Sequence, residues 1–545
     1  MAARFETHEV LNQSPPFEDV DLFALDRPLR DAVTANGASG EAAGLSAFGR
    51  RYGSAEMLDE ARRANENPPR LASFDRKGFR RDTVEFHPAY HRLMDESIAA
   101  GVHASTWRAD GSRAGAPAEV ARAARFYMAN QVEAGHCCPI TMTRASVAAL
   151  AAEPAVRERV IGKILSRTYD PSFRPAVDKA GITVGMGMTE KQGGTDVRAN
   201  TTRAMPADDG YLISGHKWFL SAPMCDAFLV LAQAPGGLTC FLMPRFRPDG
   251  SVNALRLQRL KDKLGNRSNA SAEVEFAEAF AWRVGEEGKG VRTIIEMVQL
   301  TRLDCALGSA GLMHMALVQA VHHARHRSVF QRRLADQPMM RSVLADLALE
   351  MEAAVALVMR LARAFDHPDD PAAASRARLL TPAVKYFVCK TAPAFIYEAM
   401  ECLGGNGYVE EAPLARLYRE APVNAIWEGS GNVMCLDVLR ALSREGEAGR
   451  QLIETLARET AELPGAAQAA ALVVKALAAR DAEATARRAV EQLALLAAAA
   501  ALAESVPTIA ETFARANLRE PRGATFGTAA LESADVNALL ERALP

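Results

Sequence analysis

The chain has 545 residues, of which 49% are hydrophobic and 24% charged, an ordinary balance for a folded protein of about two to four domains. Its 64 lysines and arginines nearly cancel its 66 aspartates and glutamates, so its net charge gives no reason to expect a protein that binds nucleic acid over its whole surface. The start lacks the features of a signal peptide, and the apolar run 493–503 is shorter than the roughly 20 residues of a membrane span. We therefore expect a cytoplasmic protein without a membrane segment.

The first third of the chain is predicted to form an extension followed by helices. Residues 1–50 contain several prolines and glycines and are predicted to form an irregular N-terminal extension that wraps another surface. Residues 51–180 are predicted to form a helical domain, because apolar residues recur there at intervals of three and four, as in the run 118–135.

The pattern then changes to short β-rich runs and returns to helix. Residues 181–290 are predicted to form a compact β domain, punctuated by turn residues at 208–210 and 235–237. Helical periodicity resumes over 291–440, and residues 441–545 form a further alanine-rich helical segment. That last segment has 11 basic and 14 acidic residues. The fold class is therefore mainly α with a β middle domain.

A glycine-rich loop follows the start of the β domain, in the sequence GMGMTEKQGGTDV at 185–197. Gly193 and Gly194 allow backbone amides to approach a phosphate, and the hydroxyls of Thr189 and Thr195 can donate further hydrogen bonds. Glycine-rich loops are more often simple connections, and this one does not open a helix as a dinucleotide fingerprint does.

The next motif, GHKWFLSA at 215–222, reads as a strand. Phe219 and Ser221 are two residues apart and therefore lie on one face of that strand. An aromatic surface beside a hydroxyl suits a flat heterocycle. The simpler interpretation is a half-buried strand whose Trp218 and Phe219 divide core from surface.

A third motif contains a glutamate at a glycine-rich turn. Gly404, Gly405 and Gly407 interrupt a helix, and Glu428 follows Trp427 in the sequence IWEGSGN at 426–432. A carboxylate beside aromatic surface is placed to act as a partly desolvated general base. An isolated glutamate in a loop is more often simply solvated.

The histidines, the cysteines and Ser430 do not indicate a further functional site. The cluster of His322, His323 and His326 has no neighbouring carboxylate or cysteine in sequence. We therefore interpret it as the basic end of a helix and expect no metal site. The 8 cysteines show no CxxC spacing, and Cys137 and Cys138 are expected to be reduced, buried and unreactive. Ser430 has no paired histidine in its motif, which argues against a hydrolase.

Taken in order, these motifs resemble the acyl-CoA dehydrogenase family over residues 50–440. The whole chain is similar in particular to the branch of that family that responds to DNA alkylation. The stretches that carry this similarity are NPPRL (67–71), CPITMT (138–143), GMGMTEKQGG (185–194), RLKDKLGNRSNAS (259–271), TRLDCALGS (301–309) and IWEGSGN (426–432).

The resemblance implies a helical N-terminal domain, a middle β-barrel and a C-terminal four-helix bundle, followed here by an extra helical segment. It also implies FAD in an extended form between barrel and bundle. The positions that match contacts to this cofactor within one subunit are Met186, Met188, Thr189, Gly194, Thr195, Phe219, Leu220, Ser221, Trp427, Ser430 and Asn432. Arg327, Phe330 and Gly405 match residues that reach the FAD of another subunit, so a homotetramer is expected.

The resemblance assigns Glu428 as the general base and Arg302 as a further catalytic residue. One branch, which includes isovaleryl-CoA dehydrogenases, carries its base just before the arginine that matches Arg302, but Thr301 stands there in this chain. Nitroalkane oxidases of this fold use aspartate as the base, so Glu428 argues against that activity. Glu401 departs from the glutamine that most dehydrogenases carry.

Two functions follow from the resemblance. The first is α,β-dehydrogenation of an acyl-CoA thioester, such as isovaleryl-CoA or a similar compound, with Glu428 taking the α-proton while a hydride passes to the flavin. The second is protection of double-stranded DNA against alkylation, with weak residual dehydrogenation. Because DNA affinity requires clustered lysine and arginine, the mildly acidic segment 441–545 predicts weak and salt-dependent DNA binding.

Overall fold

The computed structural model describes residues 7–544 except 478 and 480. It contains helices α1 Arg27–Ala35, α2 Ala42–Tyr52, α3 Ala55–Glu66, α4 Pro88–Ala99, α5 Ala118–Val132, α6 Cys137–Leu150, α7 Pro154–Ile164, α8 Gly290–His326, α9 Pro338–Asp366, α10 Pro371–Glu401, α11 Gly405–Tyr408, α12 Pro413–Asn424, α13 Gly431–Glu445, α14 Glu447–Glu459, α15 Ala466–Leu477, α16 Ala482–Ser505, α17 Pro507–Ala514 and α18 Ser533–Ala543. Its strands are β1 Arg70–Phe74, β2 Arg80–Glu85, β3 Val184–Gly187, β4 Arg203–Ala207, β5 Gly210–Ser221, β6 Ala227–Ala234, β7 Gly237–Pro244, β8 Leu255–Leu260, β9 Ser271–Val284, β10 Ser328–Val329 and β11 Arg332–Arg333.

The N-terminal extension differs from the irregular segment that its prolines predict. It contains α1 and α2, and α1 is capped by Asp26, whose side chain accepts a hydrogen bond from the backbone N–H of Leu29. Pro28 lies in the first turn of α1, where the missing N–H costs no helical hydrogen bond. The proline therefore starts a helix here instead of preventing one.

A β-hairpin interrupts the helices of the N-terminal region, where the sequence pattern indicated helix alone. Strand β1 pairs antiparallel with β2, and Leu71 lies opposite Val84. The turn between them includes Gly78 at φ +87°, a conformation that suits glycine. Two strands of five and six residues are too short to stand out against the surrounding helical periodicity.

The middle region forms one seven-stranded mixed sheet in the order β3-β5-β4-β6-β7-β9-β8. Strand β3 also pairs with β6, and β5 also pairs with β9, so the sheet curls on itself without forming a regular closed barrel. Strands β6 and β7 are buried along nearly their whole length and form the centre of this layer. The predicted fold class, mainly α with a β middle domain, is confirmed.

Helix α8 is the centre of the helical bundle and packs against α5, α9 and α10. By length and composition α8 could cross a membrane, but 89% of its most apolar stretch is buried inside the protein. Its hydrophobicity is therefore explained by its position in the core.

The C-terminal helices continue the core of the bundle. Helix α16 packs against α9, α10 and α13, and its residues Leu493, Leu496 and Leu502 are fully buried or nearly so. The same continuous apolar cluster includes residues of α8, α9 and α10. The segment 441–545 is thus helical, and it thickens the bundle instead of forming a core of its own.

Candidate active site

Glu428 lies in the short connection between α12 and α13, at a backbone conformation that side chains rarely adopt. Its φ is +57°, and the following Gly429 has φ +105°. A glutamate in the left-handed region is strained, and such strain persists where the surrounding structure fixes it, often at functional sites. The contacts around this turn explain how it is fixed.

Lys385 of α10 holds the backbone on both sides of Glu428. Its ammonium group donates hydrogen bonds to the carbonyl oxygens of Trp427, at 2.6 Å, and Gly429, at 2.5 Å. Only 1% of Lys385 is exposed. The sequence analysis did not identify this lysine, because its role depends on α10 packing beside the turn.

Arg302 of α8 fixes the third carbonyl of the same turn. Its Nε donates to the carbonyl oxygen of Glu428 at 3.0 Å, and its Nη1 is 2.6 Å from Asp437 Oδ2. Arg378 also pairs with Asp437, so the guanidinium group of Arg302 is itself held in place. Arg302 thus contacts the backbone of Glu428 and leaves the carboxyl group free.

The Glu428 carboxyl group makes one hydrogen bond to a side chain. Thr301 Oγ1 donates to Glu428 Oε2 at 2.7 Å, and no hydrogen bond from the described residues reaches Oε1. Burial raises the pKa of the Glu428 carboxyl group above its ordinary value, while Thr301, Arg302 and Lys385 act in the opposite direction. Thr301, which occupies the alternative base position just before Arg302, therefore contacts the Glu428 carboxyl group directly.

A small cavity of about 50 Å³ lies against Glu428. Strands of the sheet supply Met186 and Ser221 to its wall, and α8 supplies Thr301. Cys138 of α6 also lines it, and burial raises the pKa of the Cys138 thiol to about 12, so this cysteine is protonated and unreactive at neutral pH. The remaining residues of the wall are Phe126, Asn130, Ala134, Cys137, Thr141, Met142, Asp304, Cys305, Glu420, Asn424 and Trp427.

The sheet presents an aromatic and polar surface beside this cavity. Ser221 lies directly opposite Met186 across the β3–β5 pair. Phe219 is 47% exposed, whereas Leu220 is completely buried in the core. Phe219 and Ser221 can therefore contact a bound group through their side chains, and Leu220 only through its backbone.

The glycine-rich loop after β3 leaves the Thr189 hydroxyl group accessible. A Cβ on Gly194 would lie 2.3 Å from Thr189 Oγ1, so any side chain at 194 would obstruct it. The carbonyl oxygen of Met188 accepts from Asn200 Nδ2, and that of Thr189 accepts from the backbone N–H of Trp218. The loop is thereby attached to β5, and Thr195 is exposed beyond it.

Two further predicted cofactor contacts lie at the start of α13. Ser430 is the N-cap residue of this 15-residue helix, but its side chain makes no capping hydrogen bond. Asn432 is exposed in the first turn. The hydroxyl of Ser430 and the first N–H groups of the helix can therefore donate to a bound oxygen.

Arg327 and Phe330 lie at the other end of α8, and residues 12–13 connect Arg327 to the start of α11, where Gly405 lies. Arg327 directly follows α8, and its Nη1 donates to the carbonyl oxygen of Asn12 at 2.7 Å. The 25 residues from Arg302 to Arg327 correspond to roughly 37 Å along the helix axis. The structure thus brings Arg302, Met186, Ser221 and Trp427 together around Glu428, whereas Arg327 lies at the far end of α8.

Comparison with known proteins identifies the family. A family model described as the adaptive response protein AidB N-terminal domain matches residues 12–171, and the acyl-CoA dehydrogenase middle and C-terminal domain models match residues 185–279 and 288–443. The chain is also 52% identical over 443 residues to "Putative acyl-CoA dehydrogenase AidB" of Escherichia coli (strain K12), which spans 81% of each protein. The chain belongs to the AidB-like branch of the acyl-CoA dehydrogenase family. This confirms the resemblance predicted from the motifs.

Two further comparisons concern a nematode protein of the acyl-CoA dehydrogenase family. The chain is 31% identical over 449 residues to acyl-CoA dehydrogenase family member 11 of Caenorhabditis elegans, covering 78% of this chain and 70% of that one. The solved structure of C. elegans ACDH-11 in complex with C11-CoA superposes with a TM-score of 0.83 at 26% identity, covering 99% of this chain and 98% of that one. The similarity therefore includes the C-terminal helices.

Acyl-CoA dehydrogenases are FAD-dependent oxidoreductases, so this chain is a flavoprotein enzyme whose cofactor is FAD. The residues present fit that group. The Phe219 ring and the open Thr189 hydroxyl group lie on the sheet side, and the uncapped Ser430 lies at a helix N-terminus that suits a phosphate. Among the described residues, no group of three or more histidine, cysteine, aspartate or glutamate side chains is placed to hold a metal ion.

Proposed function

We propose that this enzyme catalyses α,β-dehydrogenation of an acyl-CoA thioester, with Glu428 as the general base. The observation that carries this proposal is the Glu428 carboxyl group at the wall of a cavity, on a strained turn held by Lys385 and Arg302. A carboxyl group whose pKa is raised by burial is a stronger base once it is ionised. The C. elegans structure with C11-CoA supports an acyl-CoA as the substrate.

The residues of this site have different roles in proton transfer. Thr301 holds Glu428 Oε2, so Oε1 is the atom that accepts the α-proton. Lys385 and Arg302 fix the turn, so the carboxyl group needs little reorganisation when the substrate binds. Ser221 and Thr189 offer hydroxyl groups on the flavin side of the cavity. FAD, when bound, supplies the hydride acceptor.

A substitution of Glu428 tests this proposal. Glu428→Gln removes the base and changes little volume, so we expect dehydrogenation to be lost while the yellow cofactor is retained. The measurement is the visible spectrum of the purified variant before and after anaerobic addition of isovaleryl-CoA and other acyl-CoAs. Wild-type flavin should bleach and that of the variant should not. Loss of FAD from the variant, or normal bleaching, contradicts the assignment of Glu428 as the base.

We also propose that the enzyme is a homotetramer in which one copy completes the cofactor site of another. Roughly 37 Å separates Arg302, beside Glu428, from Arg327 on the same helix, and an extended FAD molecule is shorter than this. If Arg327, Phe330 and Gly405 contact FAD, they contact the FAD of a neighbouring copy. The 92% exposure of Phe330 supports such a role.

The second candidate function is protection of DNA, and its support is the match of residues 12–171 to a family model described as the adaptive response protein AidB N-terminal domain. Three of the C-terminal arginines already pair with carboxylates, since Arg515 pairs with Asp535, Arg522 with Asp346 and Glu350, and Arg519 with Glu520. Arg487 and Arg488 are exposed. We therefore propose at most weak binding of double-stranded DNA that falls steeply with salt. Tight binding that persists at high salt contradicts this.

A further inference from the structure

The cavity beside Glu428 ends in polar side chains where a plain alkyl chain would require apolar ones. Asn130 of α5 and Asn424 of α12 both line it, and they are only 4% and 6% exposed. Buried amides in proteins normally have hydrogen-bond partners for their polar atoms. The ligand that the cavity can bind therefore depends on whether the polar atoms of these two amides already have hydrogen-bond partners in the protein.

Each amide forms one hydrogen bond within the protein, and that bond fixes the orientation of the amide. The indole N–H of Trp427 can only donate, so the atom 2.9 Å from it is Asn424 Oδ1, which leaves Asn424 Nδ2 as a donor. The backbone carbonyl of Phe126 can only accept, so the atom 2.8 Å from it is Asn130 Nδ2, which leaves Asn130 Oδ1 as an acceptor.

The two remaining atoms lie close together above Gly308 of α8. A Cβ on Gly308 would be 3.0 Å from Asn130 Oδ1 and 3.5 Å from Asn424 Nδ2. Neither atom makes a hydrogen bond to any residue in the described part of the chain. Both asparagines line the cavity, so its wall includes one unused acceptor and one unused donor, each within 3.5 Å of the point where a Gly308 Cβ would stand.

The charges around the cavity limit which ligand group can satisfy this pair. Asp304 and Glu420 also line the wall. Asp304 is paired with Arg122 and Arg144, and Glu420 accepts from Asn266 Nδ2 at 3.0 Å. Because two arginines offset the charge of Asp304, Glu420 and Glu428 are the carboxyl groups that disfavour an anionic tail on the acyl chain. A neutral hydroxyl group donates to Asn130 Oδ1 and accepts from Asn424 Nδ2 with one atom.

We propose that the substrate of this site is a short acyl-CoA whose chain carries a hydroxyl group beyond the β-carbon, recognised by Asn130 and Asn424. The inference rests on the proposed function. The cavity of about 50 Å³ has room for roughly four water-sized groups, which limits the chain to a few atoms. The hydroxyl group takes no part in the reaction: one C–H bond breaks at each of Cα and Cβ, a C=C bond forms, the proton goes to Glu428 and the hydride to FAD.

Matched ligand pairs test this inference directly on the FAD-containing protein. In each pair a hydroxyl group replaces a methyl group: 4-hydroxybutyryl-CoA against pentanoyl-CoA, and 5-hydroxypentanoyl-CoA against hexanoyl-CoA. Binding is measured by calorimetry on the Glu428→Gln variant, and kcat/KM by anaerobic flavin reduction in the wild type. We expect the hydroxylated member of at least one pair to bind and react tenfold better or more, because a site built for a hydrogen bond rejects ligands that lack it.

Substitutions then assign the preference to the amides. Asn130→Leu removes the acceptor at similar volume, so the preference for the hydroxylated ligand should fall at least tenfold. Asn36→Leu is the matched control. Asn36 is 6% exposed against 4% for Asn130, donates to a carbonyl four residues earlier and has an unpartnered Oδ1 among the described residues, but it lies in the N-terminal region away from this cavity. Its ligand preference should equal that of the wild type.

The outcomes separate this inference from the proposed function. Equal affinity within both pairs, or a preference for the alkyl members, overturns the inference and leaves dehydrogenation standing. An equal change in Asn130→Leu and Asn36→Leu overturns the assignment to the cavity amides. If none of the four thioesters binds or reduces the flavin but isovaleryl-CoA does, this inference alone is overturned. If isovaleryl-CoA and the other acyl-CoAs also fail to reduce the flavin, the proposed function fails and this inference fails with it. The wild-type comparison decides the case even if Asn130→Leu does not fold.

Discussion

Glu428 is fixed mainly through its backbone, and no described residue donates a hydrogen bond to one of its two carboxylate oxygens. The carbonyl oxygens of residues 427, 428 and 429 all accept hydrogen bonds from cationic side chains, while Thr301 binds only Oε2. Lys385 and Arg302 therefore fix the position of the base through the backbone and also lower its pKa by their charge, whereas Thr301 contacts the carboxyl group alone. A substitution of Thr301 can therefore change the pKa without releasing the turn.

Removing the Thr301 hydroxyl group should raise the pKa of Glu428 further. Burial already raises this pKa, and the Thr301 hydrogen bond opposes the increase by stabilising the ionised form. Because the base must be unprotonated, activity rises with pH through this pKa. In Thr301→Val the rise should move up by about one pH unit, the size expected for one hydrogen bond to a charged group, with a similar plateau above it. The measurement is the rate of anaerobic flavin reduction against pH, and a profile that stays in place or moves down contradicts it.

Removing the Lys385 ammonium group should displace the base. Lys385→Met leaves the carbonyl oxygens of Trp427 and Gly429 unpaired, so the strained turn can relax. A small misplacement of a catalytic group costs roughly a hundredfold in rate, and we expect a loss of kcat of that order. Hydrogen exchange measured by mass spectrometry should accelerate in the peptide around 425–431 and not elsewhere.

The control for this substitution is Lys390→Met, which changes an exposed lysine on the same helix. Its kcat and its exchange pattern should match those of the wild type. Faster exchange along the whole of α10 in Lys385→Met, with no specific effect on the turn, would show that Lys385 only stabilises the helix.

Some residues of the site could be identified from the sequence alone, and others could not. Glu428 could be identified because a glutamate at a glycine-rich turn matches a family motif, and the motif also placed Thr301 in the alternative base position. Lys385, Asn130 and Asn424 could not, because each lies in an ordinary helical pattern. Their significance comes from the packing of α5, α10 and α12 around the same few ångströms, which no local spacing encodes.

Among the elements, the hairpin formed by β10 and β11 carries a turn that its sequence does not favour. Val329 pairs with Arg332, so Phe330 and Gln331 form a two-residue turn. Both have positive φ, +52° and +62°, as a type I′ turn requires. Such turns favour asparagine and glycine, and a phenylalanine here costs stability while 92% of its surface is exposed.

The two turn positions should therefore respond differently to relief of this strain. Gln331→Gly removes strain and keeps Phe330, so it should stabilise the protein by about 0.5–1 kcal/mol and leave FAD binding unchanged. Phe330→Asn also relaxes the turn but removes the ring, so it should weaken FAD binding at least tenfold. The measurements are the free energy of unfolding of the apoprotein and the dissociation constant for FAD. Unchanged FAD affinity in Phe330→Asn contradicts a role for this ring at the cofactor.

Other elements show which parts of the fold the hydrophobic pattern of the sequence could predict and which it could not. The three-layer order of helices, sheet and helices followed from hydrophobic periodicity, because each long segment keeps one period throughout. Helix α1 was missed because Pro28 was read as a helix breaker, whereas at the first turn it is compatible with a helix capped by Asp26. The β1–β2 hairpin was missed because its strands are short and lie between strongly helical segments.

At the scale of the whole molecule, the predicted cofactor residues divide between the two ends of α8, and this division predicts complementation between inactive variants. If each FAD site combines Glu428 of one copy with Arg327 of another, then Glu428→Gln and Arg327→Glu damage opposite halves of the site. A mixed pair of subunits has one site with both defects and one site with neither. Co-expression of the two variants should therefore restore roughly a quarter of wild-type activity, because random assortment makes half of the pairs mixed.

The same experiment excludes the alternative in which every site lies within one chain. Each subunit would then carry one defect in its own site, and mixing would restore nothing. The two variants expressed separately and mixed after purification provide the control, since subunits that do not exchange should stay inactive. Size-exclusion chromatography with light scattering on the co-expressed sample should give the mass of four 58.7 kDa chains. Restored activity at that mass requires Arg327 to act on the cofactor of a neighbouring copy, whereas a monomer with full FAD occupancy excludes it.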